Sequence, residues 1–546
     1  MKQRQKKLWL FALLIVALFL FSACSSTDED AGTDTKGGET EDQNDANEEE
    51  NNGENESATN TGGDLNIAVS AQPPTLDAHM TTATVALDVS RNIFETLVAA
   101  NENHESTPML AESYEISDDG LTYTFKLREG VSFHNGQEMK AEDVEASMNR
   151  WLGLSARAKT LLEGSEFVAT DDYTVELRLA EVASDTLDIM AGQGQFPAIM
   201  PKDVIESASE EGVQEIIGTG PLMLDEWKQD QYVKLTKFED YAMREEPSSG
   251  FVGKKEVLVD NVYYHIVIDS ATRLAGLQTD EYHLADSMPY DNYEILLNTE
   301  GVETHVLLDG SLNMFYNKKA GMMADPKMRQ MINAVVESDS VMRASFANED
   351  LYILSNSFMN PEQVNWASNA GEESYNQNDP EKAKQLAEEL GYDGEEIRML
   401  ATRDYDHHYN ASIVIKEQLE QAGFNVSLEV YDWPTLLQKR DEEESWDIFF
   451  TGTGYVTTPS QLLVLSKSYA GWPDDEKADQ LLDEIRSSLD HEDAKEKWDE
   501  LQAYLWDDYV SSTLFGHYTR IIGASENIEG FTAFEGIIPW NVSIKE

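Results

Sequence analysis

Residues 108–136 read PMLAESYEISDDGLTYTFKLREGVSFHNG. Tyr114 and Ile116 lead into Asp118-Asp119-Gly120, and Leu121, Tyr123, Phe125 and Leu127 then alternate with polar residues. Alternation puts one set of side chains on one face of a strand, and Asp-Gly turns readily because both residues tolerate positive φ. The stretch therefore predicts an antiparallel hairpin with one buried face. Directly after it, Glu142 to Trp151 has helical spacing, and Val175 to Leu179 alternates as another strand.

Working outward, order begins at Gly63, where Leu65, Ile67 and Val69 alternate up to Pro73-Pro74. Asp88 to Ala99 reads as a helix through Val89, Ile93, Phe94 and Leu97. Gly218-Thr219-Gly220-Pro221 is a turn, followed by a second hairpin of Leu222 to Trp227 and Val233 to Phe238. Val262 to Ile268 is a strand and Ser270 to Gln278 a helix. A further helix is punctuated by Asp379 as cap, Pro380 in the first turn and Gly391 at its end. Ile397 to Ala401, Ala411 to Ala422 and Val426 to Val430 follow in β-α-β order, which implies parallel strands joined by a helix crossover. Ala478, Leu481, Leu482, Ile485 and Leu489 mark an amphipathic helix, and Trp498 to Trp506 another. The expected class is mixed α/β in more than one lobe.

The chain has 546 residues, with 40 Lys+Arg against 103 Asp+Glu and a net charge of −63. Phosphate binding needs clustered cations, so nucleic acid is excluded as a partner, and so is a basic patch for anionic lipid. Apolar content of 41 % is too high for a wholly disordered chain. Self-repulsion at this charge is relieved by salt, because the Debye length falls from about 10 Å at 0.1 M to about 3 Å at 1 M. The balance predicts a body adapted to a saline exterior.

Lys2, Arg4, Lys6 and Lys7 precede an apolar run from Leu8 to Phe21, which ends at Phe21-Ser22-Ala23-Cys24. Fourteen apolar residues are short for a membrane span, which needs about 20, and fit the core of a secretory signal. Cys24 is the single cysteine. Small residues before it resemble a bacterial lipobox, in which cleavage precedes a cysteine whose thiol receives a diacylglycerol. Phe21 stands where that pattern usually has Leu, and the other reading is a plain signal with an incidental cysteine. The expectation is signal peptide 1–23 and an acidic tether 24–63 with almost no apolar residue. Between Cys24 and Gly63 lie thirteen acids and one base. Residues 1–23 carry +4 and the tether −12, which leaves −55 for the folded body.

The chain lacks a Gly-x-Ser-x-Gly elbow, a His-Glu-x-x-His pair, a phosphate loop and a dinucleotide-binding glycine pattern. Gly452-Thr453-Gly454 follows the predicted strand Ile448 to Phe450 but has no third glycine. His407-His408 beside Asp406 reads as a loop pair that hydrogen-bonds rather than a metal site. No catalytic residue, metal or cofactor is expected, and the chain is read as a non-enzyme.

Several runs together carry a family resemblance. They are Pro108 to Tyr114, Ser117 to Gly136, Ala141-Glu142-Asp143-Val144, Gly218-Thr219-Gly220-Pro221 with Glu226-Trp227, Thr272 to Gln278, Arg329-Gln330 with Asn333-Ala334, and Asp379 to Lys384. In order and spacing they resemble the family 5 extracellular solute-binding proteins of ABC importers, the dipeptide, oligopeptide and nickel-binding group. The resemblance implies a type II periplasmic-binding-protein fold of two lobes with a hinge, plus an extra domain. Lobe I is then expected from 64–92, 218–312 and 506–546, the extra domain from 93–217 and lobe II from 313–505. It also implies a monomer on the extracellular face, anchored through lipidated Cys24. The monomer would pass a peptide or similar small solute to a permease of two transmembrane and two ATPase subunits. A nickel complex, a signalling peptide bound without import, and a surface enzyme are the competing readings.

Carried over residue by residue, the resemblance places Trp433 in the cleft, although core packing would equally account for a tryptophan there. It also points to the loop around Tyr405, Asp406 and His407. Peptide-binding relatives hold the peptide ammonium with the Asp of a Trp-x-x-Asp-Tyr stretch. This chain has Thr451-Gly452-Thr453-Gly454-Tyr455-Val456-Thr457 there and no acid. Gly452, Tyr455 and Thr457, with Gln72 and Asn313, complete the expected ligand-binding set.

Overall fold

The computed structural model describes residues 61–545, which fall within one compact unit. The readings on the signal segment, on Cys24 and on most of the tether lie outside the described residues.

The deciding hairpin forms. Ala111–Ile116 pairs antiparallel with Thr122–Leu127, with Tyr114 opposite Phe125. Gly120 turns the chain with φ 70°. Tyr123, Phe125 and Leu127 are buried on one face. Thr174–Arg178 and Glu166–Asp171 extend the pair to a four-stranded antiparallel sheet. Helix Ala141–Leu154 covers it with Val144, Met148 and Trp151, the i, i+4, i+7 stripe of an amphipathic helix. Each such buried large side chain stabilises the unit by roughly 1.5–3 kcal/mol.

A second sheet of eleven strands organises the rest. On one side Val426–Tyr431 lies parallel to Ile397–Thr402, with helix Asp406–Gln421 between them in the chain. This is the expected β-α-β unit. Ile448–Gly454 follows in the sheet. On the other side Asp64–Val69 is flanked by parallel partners Asn261–Ile266 and Leu284–Ala285. Both faces of the sheet are covered here, Ala68 packing in one core and Leu65, Ile67 and Val69 in another, as in central parallel strands. The antiparallel hairpin Leu222–Lys228 and Tyr232–Lys237 closes that end.

Two long strands join the halves. Val302–Tyr316 and Ser512–Ser525 pair antiparallel along nearly their whole length. The register slips between Leu308 and Gly310, so Asp309 is an extra, bulged residue. The architecture is the expected mixed α/β type II fold of two lobes.

Four boundaries differ from the sequence reading. The helix expected from Asp88 to Ala99 runs from Thr84 to Ile93 instead. It stops because the Gly220 N–H donates to the Ile93 carbonyl at 2.9 Å, and Val98–Ala100 is a strand. The helix expected from Ala411 begins at Asp406, so the histidine pair sits in its first turn rather than in a loop. The weak helix propensities of Asp, His and Asn hid that turn. Gly452-Thr453-Gly454 lies within its strand rather than after it. Leu489 falls beyond helix Glu476–Ser487 and is exposed.

Candidate ligand-binding cleft

The Val302–Tyr316 strand borders a cavity of about 350 Å³. Its other walls include residues 82–91, the segment 453–464, residues 358–363, residues 157 and 192–194 beside the four-stranded sheet, and Glu535. Hydrogen bonds near it tie the segment 184–188 to the chain beyond residue 365. The Ser184 N–H donates to the Arg486 carbonyl at 2.8 Å. The Thr457 hydroxyl donates to the Asp188 carbonyl at 2.6 Å, and the Trp366 indole donates to the Asp188 carboxylate at 3.4 Å.

Three of the expected residues line this cavity: Asn313, Tyr455 and Thr457. Asn313 is buried, and its Nδ2 donates to the Ser311 hydroxyl at 2.9 Å and the Thr453 hydroxyl at 3.2 Å. Its Oδ1 accepts from no group among the described residues. Tyr455 is fixed by a chain of neutral groups. His517 donates from Nε2 to the Ser357 carbonyl at 3.0 Å, which leaves Nδ1 to accept the Tyr455 hydroxyl at 3.1 Å. Burial pushes His517 down to about 4, so it stays neutral and keeps that tautomer.

Gly452 lies one residue behind the wall. Its N–H donates to His408 Nε2 at 2.7 Å. A Cβ here would come within 2.8 Å of the Tyr518 hydroxyl, which gives the glycine a steric reason. Burial and the neighbouring His407 push His408 down to about 2, consistent with an acceptor nitrogen.

Tyr405, Asp406, His407 and Trp433 do not line the cavity. Tyr405, His407 and Trp433 belong to an aromatic cluster with His408 and Tyr518, in which Tyr405 meets Trp433 edge-on at 5.2 Å. Trp433 opens helix Trp433–Arg440, whose cap Asp432 accepts the Thr435 N–H at 3.0 Å. Asp406 is exposed in the first turn of its own helix. Gln72 sits apart, donating to Gln229 at 2.5 Å and accepting from the Asp230 N–H.

The cavity also holds groups that sequence reasoning missed. Asp309 and Arg157 both face it, and neither has a hydrogen bond or ion pair among the described residues. Gln363 lines it too. Its Nε2 donates to the Thr457 carbonyl at 2.6 Å, while its buried Oε1 has no partner. A faint signal for the first was Asp309-Gly310 inside a long apolar strand, the kind of interruption that marks a bulge. Arg157 follows the cap Ser155 in the short helix Ala156–Leu161, and nothing in its local sequence singles it out.

Among the described residues no group of three or more His, Cys, Asp or Glu gathers to hold a metal, and no helix is long and apolar enough to cross a membrane.

Comparison with known proteins fits this geometry. Residues 105–474 match the family model of bacterial extracellular solute-binding proteins, family 5. A probable peptide ABC transporter periplasmic-binding protein of Sinorhizobium fredii is 29 % identical over 493 residues, 85 % of this chain and 91 % of that one. Two solved structures share the fold at 21 % identity, each over 89 % of this chain and 100 % of the other. They are the ABC transporter substrate-binding protein CtaP of Listeria monocytogenes, with TM-score 0.76, and the oligopeptide-binding protein AppA of Bacillus subtilis, in complex with a nonapeptide, with TM-score 0.70. The chain belongs to the family 5 bacterial extracellular solute-binding proteins.

Proposed function

We propose that this protein is a lipid-anchored extracellular receptor that captures a peptide-like ligand and delivers it to an ABC permease of two transmembrane and two ATPase subunits. The observation that carries the reading is the cavity beside the Val302–Tyr316 strand, lined by Asn313 and by Gln363, whose buried Oε1 has no partner among the described residues. A binding protein needs such a cleft, apolar and aromatic walls and a few polar anchors, and no catalytic group. In this reading 64–92, 218–312 and 506–546 form lobe I, 93–217 the extra domain and 313–505 lobe II, with Cys24 as the lipidation site. Asn313, Tyr455 and Thr457 touch the ligand. Gly452 and the cluster of Tyr405, His407 and Trp433 support the wall from behind, with Asp406 at its edge and Gln72 bracing the outer loop. A nickel complex is the alternative cargo.

Titration calorimetry of ligand-free protein against a peptide library, and separately against nickel with and without histidine, tests the reading. Heat from peptides and none from free nickel is expected. A protein that takes no peptide but binds nickel with histidine would replace the cargo.

A further inference from the structure

Among the described residues, two of the charged groups that face the cavity, Asp309 and Arg157, have no side-chain hydrogen bond or ion pair. Asp309 sits on the bulge of the Val302–Tyr316 strand, and a bulge re-aims the side chain it carries. Here that side chain faces the cavity. Arg520 is the cation whose charge acts on it, yet the salt bridges of Arg520 run to Asp88 and Asp286, both at 2.6 Å. Three carboxylates therefore share this corner with Arg520, and Asp309 is the one without a partner among the described residues. Tyr455 faces the same cavity, and its phenol is raised first by burial and then by nearby charges, that of Asp309 among them. A carboxylate that shares a cavity with an aromatic ring suits an ammonium group, by charge and by cation–π attraction.

Arg157 supplies the complement. Its guanidinium faces the cavity from the segment beside the four-stranded sheet and, among the described residues, donates to no acceptor. The carboxylate whose charge acts on it, Glu535, is held against His104 at 3.3 Å. In a chain with 103 acids and 40 bases, a cavity-facing guanidinium that no carboxylate engages is suited to receive an anion. Burial costs an unpaired charge heavily, so both groups gain from a ligand that neutralises them. Gln363 lines the same cavity, and its Oε1, buried and unpartnered among the described residues, can accept an N–H from the ligand.

We infer that the cleft selects small zwitterions, with the ligand's ammonium on Asp309 and its carboxylate on Arg157. This rests on the receptor reading above and narrows its ligand class. Asp309 would take the ammonium from a different strand than the family's missing aspartate. A volume of about 350 Å³ is near the low end of ligand cavities, roughly 300–1,000 Å³, and suits di- and tripeptides over long chains.

The test uses pools of di- and tripeptides in three forms: free termini, N-acetylated and C-amidated. Binding is read by native mass spectrometry and calorimetry on the wild type, Asp309→Asn and Arg157→Gln. Wild type should prefer free termini over either blocked pool by at least about 30-fold. Asp309→Asn should lose that preference against the N-acetylated pool alone, and Arg157→Gln against the C-amidated pool alone. Wild-type binding that is indifferent to both blocking groups overturns the inference and leaves the receptor reading intact. The wild-type comparison holds even if a variant fails to fold. Wild type that binds no pool overturns both.

Discussion

The Thr457 hydroxyl donates to the backbone carbonyl of Asp188 at 2.6 Å, so the wall of the cleft is bonded to the helix Thr186–Ala191. The Asp188 side chain faces the same junction, accepting from Ser106 at 2.6 Å and from Trp366. Burial, against those hydrogen bonds, pushes its carboxyl from 3.8 up to about 6. A raised carboxyl holds its proton more tightly in the closed, buried state than in an open, solvated one. Between about pH 4 and pH 6 the closed form therefore carries more protons, and closure weakens as pH rises through that window. Small-angle scattering of the ligand-free protein should show a larger radius of gyration at pH 7 than at pH 4.5. Asp188→Asn should remove most of that difference.

Ligand contact can be separated from wall support by substitution. Tyr455→Ala removes an aromatic face and a hydroxyl held by His517, and should weaken peptide binding at least about ten-fold. Trp433→Ala, outside the cavity, should leave affinity within about two-fold while lowering Tm. Calorimetry and thermal unfolding on the two variants give the comparison, and equal losses of affinity would place Trp433 in the site.

Arg520 is buried, and its guanidinium bridges helix Thr84–Ile93 through Asp88 and the 284–286 segment through Asp286. Arg520→Met leaves buried Asp286 without its cation and Asp88 with only Arg91, at 3.5 Å. The expected loss is about 3–5 kcal/mol in urea unfolding, as for other broken buried pairs. Adding Asp88→Asn and Asp286→Asn should recover part of it. Full additivity of the three changes would contradict a shared network.

Gly218 is fixed by close approach rather than by backbone angle. A Cβ there would stand 2.0 Å from the Ile93 carbonyl oxygen, an atom that cannot move without breaking the helix end. Gly218→Ala should cost roughly 3 kcal/mol, at the upper range of overpacking, and show as a lower urea midpoint. Gly136→Ala has open space around it but keeps a φ of 82°, so its cost should be smaller.

The folded body carries about −55 of the chain's charge. Its urea midpoint should rise between low and molar NaCl as repulsion is screened. A midpoint that stays flat or falls would remove salt adaptation as the explanation of the composition.

Local signals carried the fold where side chains decide it alone. The Asp118-Asp119-Gly120 hairpin, the Asp379-Pro380-to-Gly391 helix and the β-α-β unit were legible because alternation, capping and positive-φ turns are properties of neighbours in the chain. The helix end at Ile93 was not, because it is set by Gly220, more than a hundred residues away. The site divided differently. Asn313, Tyr455 and Thr457 were reached only through the family resemblance. Arg157 and Asp309 were not reached, since what distinguishes them is the absence of a partner in space, and a sequence does not display absences of that kind. Trp433 allowed two readings, cleft wall or core; it does not line the cavity but opens helix Trp433–Arg440 within an aromatic cluster, and such spatial neighbours are not displayed by its place in the chain.

The two long strands give the receptor no joint. A hinge of flexible loops could swing freely, but a continuous paired ribbon must twist along its length with its ladder intact, as a leaf spring does. Opening by that route works against a restoring torque. Asp309 is the one bulged residue near the middle of that spring on the Val302–Tyr316 side. A ligand that seats its charge there acts directly on the part that bends.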